Sequence, residues 1–462
     1  MNLTVNNPLG YEKEHKLLAQ FAIPSVISML VNALYNIVDQ IFIGHGVGYL
    51  GNAATTVTLP LMTIFLAIST MTGGGASAYA AIRLGEKKEE EARYTLGNVF
   101  LLLSIVGIMI TIISSLFLED ILYIFGATVQ NIDYALTYAG IIVFGCTFNM
   151  LGTGLSNMAR CDGSPKVAMY SMVSGALLNT ILDPIFIYVF HLGVAGDAIA
   201  TVLSQIVSVC ILVYYFIYHG NMRLETKYLK INIKRTLRIL SLGISSCITQ
   251  SVAALMQVVM NNSLVHYGDI AISSAVNGDI ALSAMGIVMK VSTIIVSISV
   301  GIGVGAQPIL GFNKGAKQPK RIKKTYQIAA TTATIVAMIG WLACQCIPQY
   351  ILALFGNEND AFNHFAIQCM RIYMGGIFCA GFQITATSYF QATGQPLKAS
   401  ILSMLRQLIM LIPLILILPL FFGLDGILYA GPTADICSGF IVAYFITKEM
   451  KRLNQWIKEE AS

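Results

Sequence analysis

The stretch LLNTILDPIFIYVFHLGVAGDAIAT, residues 177–201, contains two apolar segments joined by a short glycine-containing turn. The first segment ends near Phe190 and holds a single charged residue, Asp183, which is followed by Pro184. A helix that crosses a bilayer needs about 20 predominantly apolar residues, and a charge inside such a helix is costly and usually functional. We therefore interpret the stretch as the junction of two membrane-spanning helices, with Asp197 in the external loop between them.

The composition of the whole chain agrees with this interpretation. Of the 462 residues, 56% are hydrophobic and only 11% are charged. Soluble globular domains carry about 25% charged residues, and disordered chains combine low hydrophobicity with high charge. The sequence therefore predicts an all-α integral membrane protein. Apolar segments bounded by polar, Gly or Pro residues predict twelve spans, at residues 17–43, 56–82, 96–118, 134–158, 167–190, 198–218, 239–265, 281–310, 327–347, 361–389, 399–422 and 426–447.

The sequence contains no pattern typical of an enzyme or of a resident metal site. The nine Cys include no CxxC pair and no His-paired spacing, which argues against a zinc site and a disulfide framework. Neither HExxH nor GxSxG occurs. We expect no enzymatic activity, no cofactor other than a transported ion, and no binding of nucleic acid.

The basic residues lie on one side of the predicted membrane. If the N-terminus is cytoplasmic, all but three of the 28 Lys and Arg fall in the tails or in cytoplasmic loops, and the external loops hold acids. Lys and Arg concentrate in the cytoplasmic loops of membrane proteins. We therefore expect a multi-pass membrane protein with both termini in the cytoplasm.

The two halves of the chain repeat the same turn motifs. GSPKVAMYS at Gly163 resembles GQPLKASILS at Gly394, and GVAGDAIA at Gly193 resembles GLDGILYA at Gly423. Both offsets are about 230 residues, which hold six predicted spans, so the copies share one orientation and are parallel repeats. The prediction has three segments: a first lobe with spans 1 to 6 at residues 1–219, a basic cytoplasmic linker at 220–238 and a second lobe with spans 7 to 12 at 239–462.

Polar residues of the first lobe are predicted to meet near the external side. Asp39 on span 1 and Asp183 on span 5 lie at similar depths, with Asn179 one turn from Asp183 and Thr201 on span 6. Oxygen ligands suit a hard cation such as Na⁺ at Asp39 and Asp183, and two adjacent carboxylates also suit a proton carrier. The alternative is that these groups only form hydrogen bonds between helices. Further cavity candidates in this lobe are Tyr35, Asn36 and Gln205.

The second lobe carries a different set of ionisable residues. Lys290, Arg371, Arg406 and Asp435 all lie inside predicted spans. Because an unpaired charge in the membrane is costly, we expect Asp435 to pair with one of the cations. Both a structural ion pair and a gating or substrate-triggered role remain open. Further cavity candidates in this lobe are Gln257 and Met260.

Four segments of the chain resemble the multidrug and toxic compound extrusion (MATE) transporters, in particular the DinF/MepA-like bacterial branch. They are AIPSVISMLVNALYNIVDQIFIG at 22–44, RCDGSPK at 160–166, the stretch at 177–201 and YFQATGQP at 389–396. The resemblance implies a protein of the bacterial cytoplasmic membrane that performs cation-coupled efflux of amphipathic, often cationic, organic compounds by alternating access. It also implies a first-lobe cation site at the positions Asp39, Asn179, Asp183 and Thr201.

One departure from the family pattern concerns the second lobe. Some members carry an acidic coupling site on spans 7, 8 and 10, whereas the predicted spans here hold Gln257, Asn261, Lys290 and Arg371. This favours coupling through the first lobe. We expect a multidrug efflux antiporter that exchanges organic cations for H⁺ or Na⁺ and functions as a monomer in the bilayer. The alternative is a lipid-linked precursor flippase of the same superfamily.

Overall fold

The computed structural model describes residues 8–47, 49–270, 278–353 and 360–459, and these residues form helices and turns without any strand. Twelve of the helical segments are long and apolar enough to cross a membrane, which confirms the predicted number. We number them as spans 1 to 12. Their bounds are Glu14–Asp39, Ala54–Gly85, Glu89–Leu116, Ile132–Cys161, Pro165–Val189, Val194–His219, Ile233–Gly268, Ile280–Gly315, Pro319–Cys346, Phe362–Ala392, Pro396–Phe422 and Leu424–Glu459.

Several spans belong to longer helices or change their winding along their length. Span 5 is α-helical over Pro165–Pro184 and π-helical over Ile185–Val189. Pro184 has no N–H to donate to the preceding turn, so the helix changes its winding directly after it. The other changes of winding are the π-helical segments Tyr215–His219 and Leu405–Leu411 and the 3₁₀ segment Met374–Cys379. The helices that continue beyond spans 1, 2, 7 and 8 are Glu14–Gly46, Tyr49–Gly85, Ile233–Ile270 and Gly278–Gly315.

The backbone repeats between the two lobes as the sequence motifs predict. Gly163 and Gly394 follow spans 4 and 10 and have φ angles of +88° and +78°. Gly193 and Gly423 precede spans 6 and 12 with φ angles of +56° and +57°. Because a positive φ is rare and is adopted most readily by Gly, these matched pairs are strong evidence of a common backbone design. The fold is therefore two pseudo-symmetric six-helix lobes.

The lobes meet along a seam made by spans 1, 2, 7 and 8. Spans 2 and 8 cross so closely that a Cβ on Gly85 would overlap the carbonyl of Phe312, and a Cβ on Gly315 would overlap the carbonyl of Ile82. Span 1 packs on span 8, and span 7 packs on span 2, so each lobe contributes the same pair of helices. The seam is thus itself symmetrical.

Among the described residues, the apolar cores of the two lobes are joined at one end of the molecule. The largest cluster joins residues of both lobes at the end where span 1 begins and span 12 ends, for example Leu17, Leu84, Ile309 and Leu453. Toward the opposite end, the second lobe has a separate core around Met260, and the first lobe has a small cluster of its own. The lobes are therefore packed together at the end that the charge distribution predicts to be cytoplasmic.

Candidate functional site

Three carboxylates from three spans converge in the first lobe. Asp39 lies at the end of span 1, Asp183 lies near the end of span 5, and Asp197 lies in the first turn of span 6. One carboxylate oxygen of each residue lies within 4.8 Å of the others. Asp183 and Asp197 have no exposed surface, and Asp39 is partly buried. We call these three residues the acidic cluster.

Asn179 connects the two helices that carry the buried acids. Its Nδ2 donates to Oδ1 of Asp183 at 3.0 Å and to Oγ1 of Thr201 at 3.2 Å. Asn179 and Asp183 share a face because they are one helical turn apart. The structure thus brings together all four residues of the predicted cation site. The two hydrogen bonds of Asn179 also hold spans 5 and 6 together at that depth.

Five oxygens of this site accept no hydrogen bond from an N–H or hydroxyl group of the described residues. They are one oxygen each of Asp39, Asn179 and Asp183 and both carboxylate oxygens of Asp197. No Lys or Arg in the described part of the chain forms an ion pair with these acids. Buried polar groups are normally hydrogen-bonded, and buried charges are normally paired. A group of neighbouring oxygen atoms without hydrogen-bond donors is therefore the arrangement expected where a hard cation binds.

The assignment of Asp197 to an external loop was wrong. Gly193 adopts φ +56° and ψ −133°, which ends the turn and lets the helix of span 6 begin at Val194. Asp197 is consequently helical and buried. It precedes Thr201 by four residues, and this spacing was the available signal that both residues face the same side.

The other first-lobe candidates lie around the acidic cluster rather than in it. Tyr35 is half-buried, next to Thr201. Asn36 is exposed, and its Nδ2 donates to the carbonyl of Asn32 in its own helix at 2.6 Å. Gln205 is half-buried, one turn from Thr201. Tyr35 therefore interacts directly with a member of the predicted site.

In the described part of the second lobe, an ion pair joins a buried acid to a half-buried Arg. Nε of Arg406 on span 11 donates to Oδ1 of Asp435 on span 12, which is the type of pairing that the sequence predicts. Asp435 is 4% exposed, and its backbone carbonyl accepts a hydrogen bond from Nε2 of Gln383 at 2.8 Å. The charge of Asp435 is therefore already neutralised within the protein.

The structure does not bring the remaining second-lobe candidates together. Met260 is fully buried in the apolar core of this lobe, so it does not line a cavity. Gln257 is exposed and donates to Asn261 on its own helix at 2.9 Å. Arg371 is exposed beside a cavity of about 260 Å³, and Lys290 is partly exposed on span 8. The helices of spans 7, 8 and 10 extend beyond the predicted bounds to include Asp269, Asp279 and Asp360, whose side chains lie outside the described residues.

A polar cluster at the opposite end of the first lobe holds the connection between the lobes. Asp162 is 5% exposed and accepts hydrogen bonds from the hydroxyl of Tyr215 at 2.6 Å and from the backbone N–H groups of Asn221 and Met222 at 2.8 and 2.7 Å. Burial raises the pKa of Asp162 to about 6. The start of the connecting segment is therefore fixed to the first lobe.

Comparison with known proteins gives matches along most of the chain. The Staphylococcus aureus (strain MSSA476) multidrug export protein MepA is 25% identical over 440 residues, which are 93% of this chain and 94% of that protein. MepA of Staphylococcus haemolyticus (strain JCSC1435) is also 25% identical, over 95% of this chain and 94% of its own length.

Solved structures match over similar lengths. A structure of the MATE multidrug transporter DinF-BH is 32% identical, with a TM-score of 0.85 over 94% of this chain and 95% of that chain. An outward-facing MATE transporter of the MOP superfamily superposes with a TM-score of 0.91 at 21% identity, over 98% of this chain and 99% of that chain, which shows the shared fold.

The family model of MatE matches this chain twice, at residues 24–185 and 246–417, once in each lobe. The expectations of a transporter rather than an enzyme and of a multi-pass bacterial inner-membrane protein agree with these matches and with the twelve apolar spans. The chain belongs to the MatE family.

Proposed function

We propose that this protein exports amphipathic, often cationic, organic compounds across the bacterial inner membrane in exchange for H⁺ or Na⁺. The observation that carries the proposal is the acidic cluster, whose carboxylates are buried in a membrane domain and have no basic partner among the described residues. The relatives support the nature of the cargo, since MepA is named a multidrug export protein and DinF-BH a multidrug transporter. The protein is expected to work as a monomer in the bilayer.

The proposed exchange follows from competition for negative charge. A cationic compound and a coupling cation are both attracted to the carboxylates of the acidic cluster, and binding of the coupling cation removes this attraction. The organic cation is then released to the outside. An ion can shift a conformational equilibrium only by its difference in affinity for the two states.

The change of winding in span 5 offers a place where such a difference can arise. Asp183 immediately precedes Pro184 and the π-helical turn Ile185–Val189. Insertions of this kind are weak points in a helix and are frequent at functional sites. Neutralisation of Asp183 is therefore expected to repack span 5 against spans 1 and 6.

The apolar seam supplies the second requirement of alternating access. The lobes share a core at one end and have separate cores toward the other, which is the arrangement expected of a cleft that is closed at the predicted cytoplasmic end. Transport would require the contact between spans 2 and 8 to separate while the opposite end closes.

The flippase alternative has less support from the geometry. It requires free basic groups that could hold phosphate, yet Arg406 is paired with Asp435. Lys290 and Arg371 remain partly or fully exposed, but they lie on different spans and are not joined by any described contact.

The experiment is transport of a cationic dye in liposomes that contain the purified protein, with a pH gradient and a Na⁺ gradient imposed separately. We expect one of the gradients to drive accumulation of the dye, and Asp39→Asn or Asp183→Asn to abolish it at matched protein content. Asp133→Asn is the control, because Asp133 is an exposed acid in the first turn of span 4. Full transport by both cluster variants would refute the assignment.

A further inference from the structure

We propose that Asp197 is a third carboxylate ligand of a metal-cation pocket, and that this pocket takes up two positive charges in each transport cycle. The inference rests on the proposed function and deepens it, because it assigns a ligand and a charge stoichiometry to the same site. It concerns a residue that neither the resemblance nor the comparisons identify.

The position of Asp197 does not fit a purely structural role. An acid in the first turn of a helix usually stabilises that helix by accepting hydrogen bonds from its free N–H groups. Both carboxylate oxygens of Asp197 are buried, and no N–H or hydroxyl donor among the described residues reaches either of them. They lie instead beside carboxylate oxygens of Asp39 and Asp183. The carboxyl groups of Asp197 and Asp39 are in hydrogen-bond contact with each other, which requires a positive charge between them.

The fold does not require an acid at this position. Gly193 and Gly423 are repeat equivalents with nearly the same φ and ψ angles, so Asp197 corresponds by the same offset to Ile427 in the second lobe. Ile427 is also fully buried and belongs to the apolar core of that lobe. An apolar residue therefore fills the equivalent site, and the acid in the first lobe must be explained by what it binds.

The charge balance of the cluster determines how much positive charge it takes up. Three carboxylates that lie within 4.8 Å of one another in a buried site repel each other, and uncompensated buried charge is strongly unfavourable. If Asp39 and Asp183 were the only ionised groups, one bound monovalent cation would leave a single negative charge uncompensated. Addition of Asp197 leaves two uncompensated charges unless a second positive charge enters.

Asn179 adds a neutral oxygen ligand to the pocket. Its side chain is 1% exposed, and its Nδ2 already donates to Asp183 and Thr201. Its Oδ1 is buried without a partner. An amide oxygen does not carry a proton near neutral pH, but it is a good ligand for a hard cation, as carboxylate oxygens are. The set of donors therefore matches metal coordination by oxygen.

The test measures the coupling ratio with purified full-length protein in liposomes. The probe is tetraphenylphosphonium, the pH is equal on both sides, and the membrane potential is clamped at zero. For two Na⁺ per singly charged probe, a tenfold Na⁺ gradient sustains about a 100-fold probe gradient, whereas one Na⁺ sustains about a tenfold gradient. We expect the two-ion ratio for the unmodified protein, the one-ion ratio for Asp197→Asn, and the two-ion ratio for Asp133→Asn.

A direct binding measurement keeps the result independent of transport. Equilibrium dialysis with radiolabelled Na⁺ should find two ions bound per molecule of the unmodified protein and one ion per molecule of Asp197→Asn. Both proteins keep Thr201 and Asn179. An unchanged ion count or coupling ratio in Asp197→Asn would overturn the inference, as would coupling to H⁺ alone. The last outcome would leave the proposed function intact, whereas a failure of every gradient to move the probe would refute the function itself.

Discussion

The two lobes share a backbone but have opposite electrostatic designs. Both begin their sixth helix after a Gly with a positive φ, yet the first lobe then buries Asp197 where the second buries Ile427. No Lys or Arg among the described residues pairs with the acidic cluster of the first lobe, whereas Asp435 in the second lobe is paired with Arg406. The difference teaches that the repeat maintains the shape and the seam, while the polar chemistry of each lobe has diverged.

The largest expected effect is on stability, when the ion pair of the second lobe is broken. Asp435→Ala leaves Arg406 without its acid, and because the Arg406 side chain is 25% exposed, the loss should lie at the lower end of the range of about 3–5 kcal/mol expected for a buried pair. Thermal unfolding in detergent should show a clear loss, and the double variant Arg406→Met with Asp435→Leu should recover most of it. Equal stability of Asp435→Ala and the unmodified protein would mean that the pair is not structural.

A smaller and symmetrical effect is expected at the seam. Gly85→Ala and Gly315→Ala each place a methyl group against backbone of the other lobe, and overpacking of this kind costs about 1–3 kcal/mol. Both should lower the unfolding temperature by similar amounts. Gly286→Ala on span 8 is the control, because its Cβ would meet open space. A marked inequality between the two seam variants would contradict the symmetry of the contact.

The smallest effect on stability, with a large effect on activity, is expected at Asn179. Hydrogen bonds between membrane helices contribute about 0.6 kcal/mol on average, so Asn179→Ala should lose only about 1 kcal/mol through its two bonds. Dye transport should nevertheless fall to background because the predicted cation site loses a ligand. Asn36→Ala, on an exposed face, should affect neither measurement. Normal transport by Asn179→Ala would remove this residue from the site.

The sequence predicted those features that depend on periodicity and composition. Twelve spans follow from apolar segments, and the meeting of Asn179, Asp183 and Thr201 follows from helical spacing and similar depth. Asp197 was missed because the start of span 6 depends on the unusual backbone angles of Gly193, which the composition of a turn does not reveal.

The faces of the second-lobe helices were harder to predict for a related reason. Hydropathy is high all round a helix in a membrane, so it does not indicate which side faces a cavity. Packing against neighbouring helices determines this rotation, and it buried Met260 while it exposed Gln257 only three residues away.

The attachment of the connecting segment to the first lobe limits how the two halves can move. Asp162 holds residues 221 and 222, and the ring of Tyr228 packs edge-on against Tyr94, with 5.0 Å between the ring centroids. The free tether before the first helical turn at Ile233 is thus only a few residues long. A tether of that length keeps the start of span 7 beside the first lobe even while the contact between spans 2 and 8 separates.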